Sequence, residues 1–187
     1  MLAMCCIACH SQECPYKFLG IPIEGTMDEF AKKLEEKGFK KNYHSLSKEE
    51  RDAGCYNYYF TGKFFGEDCM VFLLSWDINS NIITTVSVAY KENLRLYKEL
   101  RNALAKQYSD TNKWRFDTTG DIGDLSDYQI RQALSGGGFC FRIYDMKSDR
   151  PYILLDIDNN FLHCYYSNSS RVGKIEDEKD AKKALDL

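Results

Sequence analysis

The chain lacks any run of about 20 apolar residues, the length a membrane-spanning helix requires, so no membrane span is expected in its body. It also lacks a basic excess. Its 25 Lys and Arg residues are scattered among 28 Asp and Glu. The formal charge is -3 and the pI about 5.7, which leaves no field to hold a phosphate backbone and excludes nucleic acid as a partner class. No Gly-x-Ser-x-Gly nucleophile turn is present. Gly136-Gly137-Gly138 precedes an expected strand instead of opening a helix, so it lacks the donors and dipole of a phosphate cradle and reads as a turn. No cofactor is called for. What is there is ordinary globular composition. Of 187 residues, 44% are hydrophobic and 28% charged, enough for one domain with a hydrophobic core and unlike a disordered chain.

The N-terminus is the most informative segment. Met1 to Ala8 is apolar and dense in small residues and cysteine, and the chain turns polar from His10. This is the form of the second half of a secretory signal. No Lys or Arg precedes the apolar stretch, so Met1 reads as an internal methionine of a longer leader. Cys9-His10-Ser11 offers cleavage before Gln12, while Ile7-Ala8-Cys9 has the shape of a lipoprotein site that would leave a lipid anchor at Cys9. A buried N-terminal strand or helix is the remaining reading. The expected organisation is a signal over 1–11, an α+β domain over 12–170 and a charged tail over 171–187.

Export bears on the cysteines. Beyond the leader stand Cys14, Cys55, Cys69, Cys140 and Cys164, without the C-x-x-C spacing of a zinc site. In an oxidising compartment two disulfides and one spare thiol are expected. Placing the first hairpin turn at Phe65 to Asp68 sets Cys69 opposite Phe64 and out of reach of Cys55. Cys69 with Cys140 and Cys14 with Cys164 are then the favoured pairs, with Cys55 free, although sequence alone does not fix connectivity.

Periodicity gives the elements. Lys17 to Glu24 reads as an edge strand with Pro22. Thr26 and Glu29 form a capping box before a helix whose Met27, Phe30, Ala31 and Leu34 share a face and which Gly38 ends. Strands are expected from Tyr58 to Phe64, Cys69 to Trp76 and Ile82 to Tyr90. A second long helix spans Asn93 to Tyr108, with Tyr97, Leu100, Leu104 and Tyr108 on one stripe. The acidic link from Trp114 to Gly138 holds a short helix capped by Ser126 with Gln129, turning Ile130 and Leu134 inward. Strands from Phe139 to Met146, Tyr152 to Asp158 and Phe161 to Ser167 follow, the last two joined by Asn159-Asn160. Hairpin-linked strands without strand–helix alternation imply an α+β fold: one antiparallel sheet of about six or seven strands, with the two long helices packed on one face.

The string KFLGIPIEGTMDEFAKKLEEKGF, with its Gly-x-Pro-x-x-Gly-Thr opening, resembles the start of a group of uncharacterised exported α+β proteins of gut bacteria. FTGKFFGEDC, IITTVSVAY, LYKELRNALAKQY and YILLDIDNNF are similar to later segments of that group, so the likeness covers nearly all of the body. It implies export and a shared fold, and no catalytic residue. The short acidic connection before Gly136 departs from the group.

The candidate sites are few. Asp156-x-Asp158-x-Asn160 starts like a calcium loop, but Phe161 stands where glycine is required and Ser167 where the bidentate glutamate belongs. Asp117, Asp121 and Asp124, with Gly120 and Gly123 between them, read as a solvated acidic loop. His163 and Cys164 are neighbours in a strand and point to opposite faces, so a Cys/His thiol site would need His44 or His163 to meet another cysteine. By alternation Tyr59, Tyr144 and Tyr166 fall opposite Phe60, Ile143 and Tyr165, on a sheet face the helices leave open. Tyrosine there is rigid, amphipathic interface material, or else simply stabilises the sheet through cross-strand pairs. The leading expectation is a non-enzymatic domain that binds a protein, peptide or glycan in the periplasm, on the outer-membrane surface or outside the cell. The alternatives are an envelope hydrolase or thiol enzyme, and a structural envelope protein.

Overall fold

Local chemistry sets the first helix. Thr26 Oγ1 accepts from the Glu29 amide at 3.2 Å and Glu29 Oε2 accepts from the Thr26 amide at 2.8 Å, closing the expected capping box. Helix α1, Met27–Glu36, buries Met27, Phe30, Ala31 and Leu34, and Gly38 leaves it at φ 89°. The computed structural model describes residues 16–45, 58–76, 80–91, 93–118, 126–135, 141–146, 150–158, 161–168, 170–175 and 177. Helix α2, Leu94–Gln107, is capped by the Asn93 side chain and buries Leu94, Leu96, Tyr97, Leu100 and Leu104. Helix α3, Asp127–Ser135, starts at Ser126, whose amide donates to Gln129 Oε1 at 2.9 Å, and Ile130 is fully buried.

A two-strand ribbon, β1 (Lys17–Phe18) with β2 (Ile21–Pro22), precedes α1. The single strand expected over Lys17 to Glu24 is thus a hairpin folded at Leu19-Gly20, where φ is 52° and 79°. Positive φ at both central residues matches the right-handed twist of the strands it joins. The main sheet holds β3 (Lys40–Tyr43), β4 (Tyr58–Phe64), β5 (Glu67–Leu74) and β6 (Thr85–Lys91). It continues with β7 (Trp114–Thr118), β8 (Phe141–Asp145), β9 (Pro151–Asp158) and β10 (Phe161–Ser167). Among the described residues it is an eight-stranded sheet in the order β3-β4-β5-β6-β10-β9-β8-β7, antiparallel throughout.

The fold is α+β with one large antiparallel sheet, and the strand count exceeds the six or seven expected. The two strands that sequence periodicity missed, β3 and β7, are the sheet's edges. The order divides into two similar halves. Each begins with a helix and lays down four strands from an edge inward, the second half inserting α3 between β7 and β8, and the halves join where β6 and β10 pair about Val88↔Cys164. Helix α2 therefore carries the chain from the centre to the far edge.

Buried side chains of all three helices share one hydrophobic cluster with the inward residues of the strands, including Phe60, Val71, Val86, Val88, Ile143, Leu155 and Cys164. This defines the inner face of the sheet. The β8–β9 register skips Tyr152 at a bulge between Ile143 and Tyr144, since Ile143 pairs with Ile153 and Tyr144 with Pro151. The extra residue lets Tyr152 join Ile153 in the core, at 1% exposure. Its Oη donates to the Lys17 carbonyl at 2.7 Å and accepts from the Lys17 amide at 2.9 Å, which ties the ribbon to the far half of the sheet. Asn168 Nδ2 adds a second tie by donating to the Ile23 carbonyl at 2.8 Å.

The β4–β5 turn is shorter than the sequence suggests. Phe65 and Gly66 take φ of 58° and 81°, a two-residue turn, so Phe64 pairs with Glu67 and Cys69 lies opposite Gly62, not Phe64. The charged tail expected from 171 begins instead with helical residues over 170–175, in which Val172 is buried.

Candidate functional site

The outer face of the sheet carries a cross-strand row of large side chains. Tyr59 on β4 stacks on Phe72 of β5 at 5.8 Å between ring centroids. Phe72 pairs with Ser87, Ser87 with Tyr165, Tyr165 with Leu154 and Leu154 with Arg142. Tyr165 stacks in turn on His163, with centroids 5.5 Å apart and planes 16° apart, and His163 meets Phe161 at 6.2 Å. Tyr59, Phe72, His163 and Tyr165 are half-buried and Phe161 exposed. Each ring leans on a neighbour, so the row is held in one geometry before any ligand arrives. Ser87 and Ala89 on the central strand lie sunk between these larger groups and are buried.

Tyr59 and Tyr144 lie on this face as alternation suggests. They are not neighbours, since β4 and β8 stand five strands apart in the sheet order, about 24 Å at the usual spacing. Tyr144 instead lies under the Arg115 guanidinium at 4.6 Å. Tyr166 is a correction. It points into the core at 5% exposure, against Phe18 at 5.2 Å and Tyr152 at 6.2 Å, while Tyr165 takes the outer position. The cause is register: Cys164↔Val88 and Cys164↔Leu155 place Cys164 on the inner face, and Leu162 and Tyr166 must follow it. Sequence alone assigns Phe72 and Phe161 no role, and His163 only that of a thiol partner. The Phe-x-His-x-Tyr alternation of 161–165 was the signal for two of them.

The cysteines are also corrected. Cys69 and Cys164 are free buried thiols, so neither expected bridge is present. Both face inward, on strands separated by β6, about 10 Å apart by strand spacing and beyond disulfide reach of each other. Their proposed partners Cys140 and Cys14 lie outside the described residues, as do Cys9, Cys55, Asp121, Asp124, Gly136 to Gly138, Asn159, Asn160 and the Leu134 side chain. Among the described residues no group of three or more His, Cys, Asp or Glu side chains could hold a metal ion.

Burial pushes the Cys69 thiol up to about 11 and the Cys164 thiol up to about 12. A nucleophilic cysteine needs the opposite shift, beside a cation or helix N-terminus. The imidazole of His163 lies on the face opposite Cys164, and His44 sits against Tyr59 on that same outer face. The described residues thus bring no thiol and imidazole together.

These thiols make stability fall with alkali. An unfolded cysteine ionises near 8.5, whereas the native thiols stay protonated to about 11 and about 12. Between those limits the native state binds more protons than the unfolded state, so each unit of rising pH lowers the free energy of unfolding. Burial raises Tyr90, Tyr108 and Tyr166 in the same direction. Urea unfolding midpoints should therefore decline steadily from about pH 9 upward. A midpoint flat to pH 11 would contradict the buried, protonated thiols.

No protein-family model, curated protein or solved structure matches the chain.

Proposed function

We propose that the protein is a non-enzymatic binding domain that takes a protein, peptide or glycan on the outer sheet face, with both long helices reserved for the inner face. The observation that carries this reading is the Tyr59–Phe72 and Tyr165–His163 stacks on a face whose rings remain half-exposed. Preformed aromatic rows contribute contact area with little ordering entropy, and their hydroxyl and imidazole edges supply directional hydrogen bonds. Among the described residues the thiol-enzyme alternative has its thiols and imidazoles on opposite faces, and no observation favours it. The structural-protein alternative predicts no dependence on these rings.

The test is quantitative capture of envelope protein and glycan fractions by the wild-type domain and by a Tyr59→Ala/Tyr165→Ala variant. Capture should be lost while the unfolding midpoint stays close to that of the wild type. Equal capture by both proteins would refute the binding face.

Export belongs to the same proposal and rests on Met1 to Ser11 alone, because the two free thiols lend it no support. N-terminal sequencing of the natural protein should begin near Gln12 or at a lipid-modified Cys9. Cytosolic material starting at Met1 would refute it.

A further inference from the structure

We propose that an open cleft at one corner of the outer face, which meets the aromatic row at Phe161, is a second site, for a small organic anion with an apolar body, distinct from the Tyr59 and Tyr165 stacks. The cleft arises from the edge strand. Pairing of β3 with β4 ends at Lys40↔Thr61, so among the described residues the rest of β4 has a strand only on its β5 side, and the chain at Lys37-Gly38 forms the wall. Phe39 closes the inner side by lying on Gly62, where a Cβ would come within 2.5 Å of the ring. The space is about 710 Å³, inside the range of small-molecule sites.

Its lining has two parts. Thr61, Met70, Ala89 and the exposed ring of Phe161 give an apolar floor and side wall. Among the described residues Lys37, Lys63 and Lys91 line it against a single carboxylate, Asp68. That carboxylate is 87% exposed and 3.5 Å from Lys63, while Glu67 is turned away toward Arg95 at 3.7 Å. Among the described residues Lys37 and Lys91 are in no ion pair, so the cleft carries an uncompensated positive charge on a chain of net charge -3. Charge complementarity selects an anion, and the floor selects one with an apolar face. Ammonium groups act as point charges, so carboxylate and sulfonate head groups suit them without bidentate geometry.

Anilinonaphthalene sulfonate is a suitable probe because its fluorescence reports a dry apolar contact and its sulfonate reports the lysines. The full chain should show one saturable site, with amide shifts at Thr61, Met70 and Ala89. Lys37→Glu/Lys91→Glu should weaken it by about tenfold or more, and the uncharged N-phenylnaphthylamine should bind more weakly by a similar factor. Both lysines are exposed, so an unchanged thermal midpoint is expected for the variant. Tyr165→Ala should change probe affinity by less than about twofold, which separates this site from the binding face. Absence of saturable binding, equal affinity of the charge-reversed variant or of the neutral probe, or shifts confined to the Tyr59–Tyr165 row would overturn the proposal.

Discussion

Tyr166→Ala should lower the free energy of unfolding by about 3–5 kcal/mol, while Tyr165→Ala, one residue earlier, should change it by less than about 1 kcal/mol. The two side chains share a strand and a chemical type, and differ in face. Tyr166 is 5% exposed and packs against the rings of Phe18, Phe64 and Tyr152, so truncation leaves a cavity where four aromatic rings meet. Tyr165 stacks on His163 with solvent at its edge, and its loss opens no enclosed void. Urea unfolding of the two variants measures both numbers. Equal losses would mean that the outer row is packing material, and the binding proposal would lose its basis.

The second large effect is at Tyr152, where ring and hydroxyl can be separated. Tyr152→Ala removes a side chain 1% exposed that packs on Tyr108, Trp114 and Tyr16, and should cost about 3–5 kcal/mol. Tyr152→Phe keeps the ring but strips the Lys17 amide of its acceptor and the Lys17 carbonyl of its donor, for about 1–3 kcal/mol. The phenylalanine variant has a local signature. Hydrogen exchange at Lys17 should accelerate selectively, because its N–H then faces a void in place of an oxygen. Unchanged exchange at Lys17 together with unchanged stability would show that the ribbon is held by other contacts.

Much of this architecture could be read from residues whose effect is local. The Thr26/Glu29 box, the Ser126/Gln129 start and the buried stripe of α2 all follow from spacing within a few positions. The edge strands did not show. Lys40–Tyr43 is polar on both sides, and Trp114–Thr118 interrupts an acidic link, because an edge strand borrows its partner's register and needs little alternation of its own. On β10 the alternation was present but ambiguous. Leu162, Cys164 and Tyr166 oppose Phe161, His163 and Tyr165, two sets of comparable hydrophobicity, and only pairing with Val88 and Leu155 decides which is inside. Tyr152 was beyond reach altogether, since a bulge changes the parity by which strands are read.

Because β10, which follows the other described strands in the chain, lies at the centre of the sheet, between β6 and β9, the two halves have no shared edge until it is in place. A chain truncated before Phe161 would present an unpaired β6, rich in valine, and an unpaired β9 to any other strand nearby. Joining the halves requires contacts such as Val88↔Cys164, far apart along the chain, and pairing at that range is slow. The ribosome must therefore pass Ser167 before the sheet can close, and for that interval the nascent protein depends on whatever shields hydrophobic edges in its compartment.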